Sequence, residues 1–140
     1  MGSGYLLDTN VISELRKRNR DPQVGEWIAG THGPTLHLSS LTVGEIRRGI
    51  ELRRQKDPAQ ATVLERWLHA LHRQFGDRVV PVTPEVAEEW GRLNAVRPLP
   101  VVDGLIAATA RVNGWTLATR NVKDFTGTGV SVVDPFEPSA

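Results

Sequence analysis

Cysteine is absent from the 140 residues of this sequence. Disulfide bonds, thiol catalysis and cysteine-based zinc sites are therefore excluded, and the absence agrees with a cytoplasmic location, which we expect for this protein. Long apolar runs are absent too, because none approaches the roughly 20 residues of a membrane-spanning helix. Since no signal peptide is visible either, we expect no membrane partner.

An excess of charge of one sign is also missing. Lysine and arginine number 17 against 16 aspartate and glutamate residues, which leaves a formal net charge of +1. The overall field of the protein therefore favours neither nucleic acid nor an anionic membrane, and any nucleic-acid function must come from a local site. The hydrophobic content of 39% is too high for a disordered chain. We expect one globular domain over residues 1–140.

Short apolar segments alternate with helical patterns along the chain. The predicted strands are Tyr5–Leu7, Thr35–Leu38, Val79–Val82, Thr116–Ala118 and Val130–Val133. Helices are predicted over Val11–Lys17, Thr42–Arg54 and Asp103–Val112, and further helices begin at Asp21-Pro22, Asp57-Pro58 and Thr83-Pro84. This alternation predicts an α/β fold with a mainly parallel central sheet and helices on both of its faces. In such folds, ligands bind outside the carboxyl ends of the strands.

Polar residues follow two of the predicted strands directly. In the segment GYLLDTNVISEL, Asp8 directly follows the first apolar run. Asp8 either caps the next helix or binds a positively charged group. In ATRNVKDF, Asn121 follows the strand Thr116–Ala118, and Asp124 lies one helical turn further on. Each of these two residues could equally serve a turn.

Two further carboxylates lie near predicted helix starts. Thr42-x-x-Glu45 matches a capping box, although Glu45 points away from the apolar stripe of its helix. Asp103 begins the segment VVDGLIAATARV, which is apolar nearly all round a helix. A buried carboxylate there is costly unless it is paired, so Asp103 is either a cap or a functional group.

Together, these segments offer carboxylates from distant parts of the chain at strand ends and helix starts. Clustered carboxylates repel one another unless a cation binds between them. Mg²⁺ prefers oxygen ligands and keeps several of its waters. The combination suits metal-assisted hydrolysis of a phosphodiester.

Four motifs carry a resemblance to a known family: LLDTNVISEL, LSSLTVGEIRRGI, VVDGLIAATA and LATRNVKDF. In this order they resemble the PIN-domain ribonucleases, especially the VapC-type toxins of VapBC toxin–antitoxin pairs and their FitB-like branch. The resemblance implies a three-layer α/β/α fold and an endoribonuclease that uses Mg²⁺, or Mn²⁺ in its place. It also implies RNA as substrate, a VapB-type antitoxin as inhibitor, a homodimer, and contact with operator DNA only through the antitoxin.

The resemblance also assigns roles to single residues. It makes catalytic acids of Asp8, Glu45 and Asp103, and the first and third of these are its metal ligands. Hydroxyl groups that orient the acids fall on Thr9 and Thr119, in the supporting position that metal sites commonly have.

The fourth acid of the family falls on an amide in this sequence. Asn121 occupies that position and brings no charge, and Asp124 is the other possible source of the missing carboxylate. Two alternatives to a nuclease remain: the neutral Asn121 supports the first, and the second shares with this chain an Asp directly after the first strand. A catalytically weak binding module would keep the fold without the activity. A HAD-like phosphatase would need a second acid two residues after Asp8, where this chain has Asn10.

Overall fold

A parallel five-stranded sheet lies at the centre of the computed structural model, which describes residues 4–138. The strands are β1 Tyr5–Leu7, β2 Leu36–Ser39, β3 Val79–Val80, β4 Thr116–Ala118 and β5 Val132–Val133. Their order across the sheet is β3-β2-β1-β4-β5, and every neighbouring pair is parallel. The domain expected over residues 1–140 includes residues 1–3 and 139–140, which lie outside the described residues.

Six α-helices cover the two faces of this sheet. They are α1 Thr9–Arg16, α2 Pro22–Ala29, α3 Ser40–Arg54, α4 Pro58–Phe75, α5 Pro84–Val96 and α6 Val101–Asn113. Because side chains alternate along a strand, Leu7 packs into the core formed with α1 to α4, whereas Leu6 packs into the core formed with α5 and α6. The arrangement is the predicted three-layer α/β/α fold. Among residues 4–138, no helix is both long and apolar enough to cross a bilayer.

The helix starts confirm some predicted caps and correct others. Thr83 caps α5, as its sequence position before a proline predicts. The predicted capping box at Thr42 is wrong, because Ser39 caps α3 by accepting a hydrogen bond from the amide of Leu41 at 3.0 Å. Thr42 instead lies buried inside the first turn of α3.

The start of α6 also differs from the prediction. Pro100 is the residue that precedes the helix, and Val101 is its first residue, so Asp103 is not the cap. The proline ring holds a φ close to helical values, which lets the chain turn directly into the helix. At the other end, Gly114 closes α6 with a φ of +69°, as predicted.

Two strands are shorter than predicted. β3 ends at Val80, because Pro81 has no N–H to continue the ladder. β5 contains Val132 and Val133 only.

The strand order also locates the expected binding crevice. The chain adds β2 and β3 on one side of β1, and then β4 and β5 on the other side, so the order reverses between β1 and β4. In parallel sheets, a crevice forms at the carboxyl ends of two such strands.

Candidate active site at the carboxyl end of the sheet

Asp8 lies at the end of β1 and is 7% exposed. Its Oδ1 accepts a hydrogen bond from the amide of Thr9 at 2.8 Å, which caps α1. Its Oδ2 accepts a hydrogen bond from the hydroxyl of Thr119 at 2.8 Å, across to the end of β4. The carboxylate of Asp8 therefore caps α1 with one oxygen and contacts the end of β4 with the other. Its role as a helix cap does not exclude a role in the candidate site.

Asn10 ties the two strand ends together, a role that the sequence did not reveal. Its Nδ2 lies 3.4 Å from Oδ2 of Asp8 and 3.3 Å from the hydroxyl of Thr119. Its Oδ1 accepts a hydrogen bond from the amide of Arg120 at 3.1 Å. The position of Asn10 in the Asp8-Thr9-Asn10 triplet was a local signal, but its partners lie on a strand distant in sequence.

Glu45 is an exposed residue of α3 that faces the end of β1. Its Oε1 accepts a hydrogen bond from the hydroxyl of Thr9 at 2.5 Å. The two threonines thus contact different acids: Thr9 contacts Glu45, and Thr119 contacts Asp8. Each hydroxyl limits the rotation of one carboxylate.

Asp103 lies in the first turn of α6 and is partly buried. Burial raises the pKa of its carboxyl above the usual range, and the negative charges of Asp8, Glu45 and Asp124 raise it further. Three acids from other segments are thus close enough to act on Asp103. The carboxylates of four separate segments therefore influence one another electrostatically at this end of the sheet.

The segment after β4 carries Asn121 and Asp124. Both residues are exposed, and Asn121 precedes the 3₁₀ turn Val122–Phe125 that contains Asp124. The amide of Asn121 donates to the hydroxyl of Thr119 at 3.0 Å, and the amide of Asp124 donates to the carbonyl of Asn121 at 3.0 Å. Of the two side chains, only Asp124 adds a negative charge to the cluster.

The donor atoms of this cluster are carboxylate, amide and hydroxyl oxygens, the ligands that hard divalent cations prefer. Within residues 4–138, no three His, Asp or Glu side chains are placed so that together they could hold one metal ion. Mg²⁺ commonly uses only one or two carboxylates and completes its shell with water. Asp8 and Asp103 carry the donor oxygens that such an ion takes, and a cation bound near them would relieve the repulsion that adds to the raised pKa of Asp103.

A family model described as the PIN domain matches residues 5–128 of this chain. The chain belongs to the PIN domain family. Among its PIN-domain relatives, a VapC ribonuclease of Sinorhizobium fredii is 34% identical over 142 residues, which cover 96% of this chain and 99% of the relative. Toxin FitB of Neisseria gonorrhoeae is 31% identical over 137 residues, which cover 94% and 97%.

Solved structures of similar proteins share this PIN fold. A structure of FitAB bound to a DNA fragment matches with a TM-score of 0.89 and 29% identity, covering 97% of this chain and 98% of that chain. A toxin–antitoxin complex from Klebsiella pneumoniae matches with a TM-score of 0.66 and 25% identity, covering 96% and 99%. The similarity extends over nearly the full length of both chains in each case.

Proposed function

We propose that this PIN-domain protein is a metal-dependent endoribonuclease and the toxin of a toxin–antitoxin pair. The observation that carries the proposal is the geometry at the carboxyl end of the sheet, where Thr119 donates to Asp8 and Thr9 donates to Glu45. The negative charges of Asp8, Glu45 and Asp124 also raise the pKa of Asp103 there. Relatives over nearly the whole chain that are named a VapC ribonuclease and Toxin FitB support the choice of RNA as substrate. The site is local and acidic, which agrees with a protein whose net charge is only +1.

Asp8 and Asp103 would hold Mg²⁺, or Mn²⁺ in its place, directly or through water. When bound, the ion supplies charge neutralisation for the phosphate as negative charge builds in the transition state. Thr119 holds Asp8 in place through its hydroxyl, and Asn10 supports both. The oxygen donors of these carboxylates favour a hard cation over a thiophilic one.

Glu45 and Asp124 are the two candidates for orienting the attacking water or accepting its proton. The water oxygen forms a bond to phosphorus in line with the departing 3′ oxygen, and the P–O3′ bond breaks. The 3′ oxygen leaves with the electron pair of that bond and takes up a proton from solvent water, so the products are a 5′-phosphate and a 3′-hydroxyl. If Asp124 fills the fourth acidic role, Asp124→Ala should reduce cleavage much more than Asn121→Ala, and the reverse order would assign the role to Asn121.

Metal dependence is the first test of the proposal. Purified protein should cleave RNA in Mg²⁺ or Mn²⁺ and should stop when EDTA is added. An Asp8→Asn protein purified in the same way controls for contaminating nucleases, because it should show no cleavage above background. Cleavage by the wild-type protein that persists in EDTA, while the Asp8→Asn preparation is inactive, would refute the metal mechanism.

A groove beside the acid cluster supports an antitoxin as the partner. Its volume is about 230 Å³, and Thr9 and Glu45 form part of its wall. Ile46, Ile50 and Trp67 contribute an apolar lining, which suits an amphipathic peptide segment. An arginine at the end of such a segment could bond two carboxylate oxygens of the cluster in parallel and displace the metal.

Calorimetric titration tests this competition. The antitoxin should bind wild-type protein more weakly at high Mg²⁺ than at low Mg²⁺, and Asp8→Asn protein should bind it less tightly. Inhibition should weaken when the inserted arginine of the antitoxin is replaced by alanine. Equal affinities in all four combinations of protein and Mg²⁺ would show that the antitoxin docks elsewhere.

We further propose that the protein is a homodimer and that its complex reaches operator DNA only through the antitoxin.

The two alternatives lead to different results. A binding module would tolerate Asp8→Asn and Asp103→Asn without loss of function, and the neutral side chain at Asn121 is its main support. A HAD-like phosphatase is disfavoured by Asn10, whose amide bonds to Asp8 where that chemistry needs a second acid. Isolation of a phosphoaspartate at Asp8 would revive the phosphatase.

A further inference from the structure

Arg97 donates three hydrogen bonds to backbone carbonyls at the end of α5. Its guanidinium donates from Nε to the carbonyl of Thr126 at 2.9 Å, from Nη2 to the carbonyl of Asp124 at 3.1 Å, and from Nη1 to the carbonyl of Pro98 at 3.1 Å. Two of the three acceptors belong to the segment that carries Asp124. Arg97 therefore holds the backbone of that segment.

The loop that contains Arg97 is itself held in place and leads into α6. The amide of Arg97 donates to the carbonyl of Leu93 at 2.9 Å, and the amide of Leu99 donates to the side chain of Asn94 at 3.1 Å. A few residues later, the same loop enters the first helical turn that carries Asp103. Arg97 thus links the approach to one acid with the turn that carries another.

The turn at Asp124 is a short segment that contacts of this kind can hold in place. It is a single 3₁₀ turn, and the chain beyond it passes through Gly127 and Gly129, both with positive φ. Helices this short contribute few bonds of their own. The negative charges of Asp103 and Asp124 also repel each other, which favours movement of the exposed turn away from the cluster. The two bonds from Arg97 to the carbonyls of Asp124 and Thr126 oppose that movement.

We infer that Arg97 is a positioning residue that holds the carboxylate of Asp124 beside Asp103; this role rests on the proposed nuclease function. Arg97 does so through backbone carbonyls and not by pairing with the carboxylate. The negative charge of Asp124 therefore stays available to the site. An ion pair with the side chain would have neutralised it.

A double-mutant cycle tests the inference. Arg97→Ala should lower kcat and weaken Mn²⁺ binding on the order of ten-fold or more, with little change in KM, because it loosens a group that supports the site. In an Asp124→Ala background, Arg97→Ala should have almost no further effect. Arg97→Lys should retain part of the activity, since an ammonium can make some of the three bonds but not all.

The matched control is Arg78, which makes the same kind of contact at the other end of the sheet. Its guanidinium donates to the carbonyls of Gly33, Leu36 and Gln74 at 3.0, 2.6 and 3.0 Å. Arg78→Ala should destabilise the fold in urea unfolding yet leave kcat and Mn²⁺ affinity of the folded protein unchanged.

Three results would overturn the inference. Equal losses from Arg97→Ala with and without Asp124 would show that Arg97 acts by another route. Equal losses of kcat from Arg78→Ala would show a general effect of stability. An Arg97→Ala protein with wild-type kcat and Mn²⁺ affinity would show that the turn needs no such support. If the wild-type protein binds Mn²⁺ but cleaves no RNA, only the proposed nuclease function fails, and the Mn²⁺ affinities of the variants still test the role of Arg97. If the wild-type protein neither binds Mn²⁺ nor cleaves RNA, the nuclease function and the role of Arg97 both fail.

Discussion

The two ends of the parallel sheet use polar groups in opposite ways. At the carboxyl end, burial raises the pKa of Asp103, and the negative charges of Asp8, Glu45 and Asp124 raise it further. The hydrogen bonds there hold carboxylates next to one another despite their repulsion. In the absence of a cation, the repulsion among these carboxylates opposes folding.

The amino end is built from aromatic rings and satisfied polar groups. The ring of Trp115 stacks on His37 at a centroid distance of 3.8 Å and lies directly against Gly4. Beside it, Arg78 donates to three backbone carbonyls. In both contacts the polar groups are engaged in packing or in hydrogen bonds to the backbone, so we expect this end to contribute mainly to stability.

The comparison shows that, in a parallel sheet, the residues proposed for function and the residues that stabilise the fold lie at opposite ends of the strands. All five strands run in the same direction, so their carboxyl ends, and the loops that leave them, lie at the same edge of the sheet. The acids collect there, and closely packed aromatic groups collect on the opposite side. Substitutions at the two ends should therefore have different signatures, activity loss at one and stability loss at the other.

Asp103→Asn should produce the largest effect and should separate the two signatures completely. Cleavage should fall by more than the roughly 10–100-fold that the loss of a supporting group costs, because a proposed metal ligand is lost. Stability in EDTA should be unchanged or higher, because one charge leaves the repelling cluster. Asp57→Asn is the control, since Asp57 only caps α4 and asparagine caps nearly as well. Normal activity and stability in Asp103→Asn protein would rule out the assignment.

Thr119→Val should come next in size. The change removes the hydroxyl that donates to Asp8 and accepts from the amide of Asn121. We expect about 10–100-fold lower activity or metal affinity, together with a loss of about 1–3 kcal/mol in unfolding free energy from the groups left unpaired. Thr109→Val is the control, because its buried hydroxyl bonds only to the carbonyl of Leu105 in its own helix. If both variants lose activity equally, Thr119 has no special role at the site.

Gly4→Ala tests the amino end. A Cβ at this position would lie 2.5 Å from the ring of Trp115, so the ring must shift. Overpacking of this kind costs about 1–3 kcal/mol, measured as a lower unfolding free energy, and kcat of the folded protein should not change. Gly33→Ala is the control, since a Cβ there meets nothing within 4 Å. A fully stable Gly4→Ala protein would mean that the stacked rings do not hold this end.

The smallest expected effect is a dependence of stability on pH at the same end. Burial lowers the pKa of His37 below its ordinary value of 6.5. As the pH falls below that value, the unfolded chain binds a proton that the folded chain resists, so the unfolding free energy should fall. His37→Phe should reduce this fall between about pH 7 and about pH 5, the range in which histidine titrates. Identical pH dependence in the two proteins would exclude His37 as its source.

The sequence by itself determined the fold class and the places where acids could gather. Alternating strand and helix patterns predict a parallel sheet, and the residue after a strand, such as Asp8, must lie at its carboxyl end. These features depend on local periodicity and on the direction of the chain, both of which can be read without any contact. For the same reason, Thr83 and Gly114 could be predicted as helix boundaries.

Only the tertiary structure decided which groups touch. The choice of Ser39 over Thr42 as the cap of α3 depends on where β2 ends against its neighbours. The contact between Thr9 and Glu45 joins residues 36 positions apart. The hydrogen bonds from Arg97 reach the turn at Asp124, and no sequence pattern near Arg97 predicts that contact. Such contacts arise because packing of the layers brings distant side chains together, and that packing depends on the whole core rather than on any one segment.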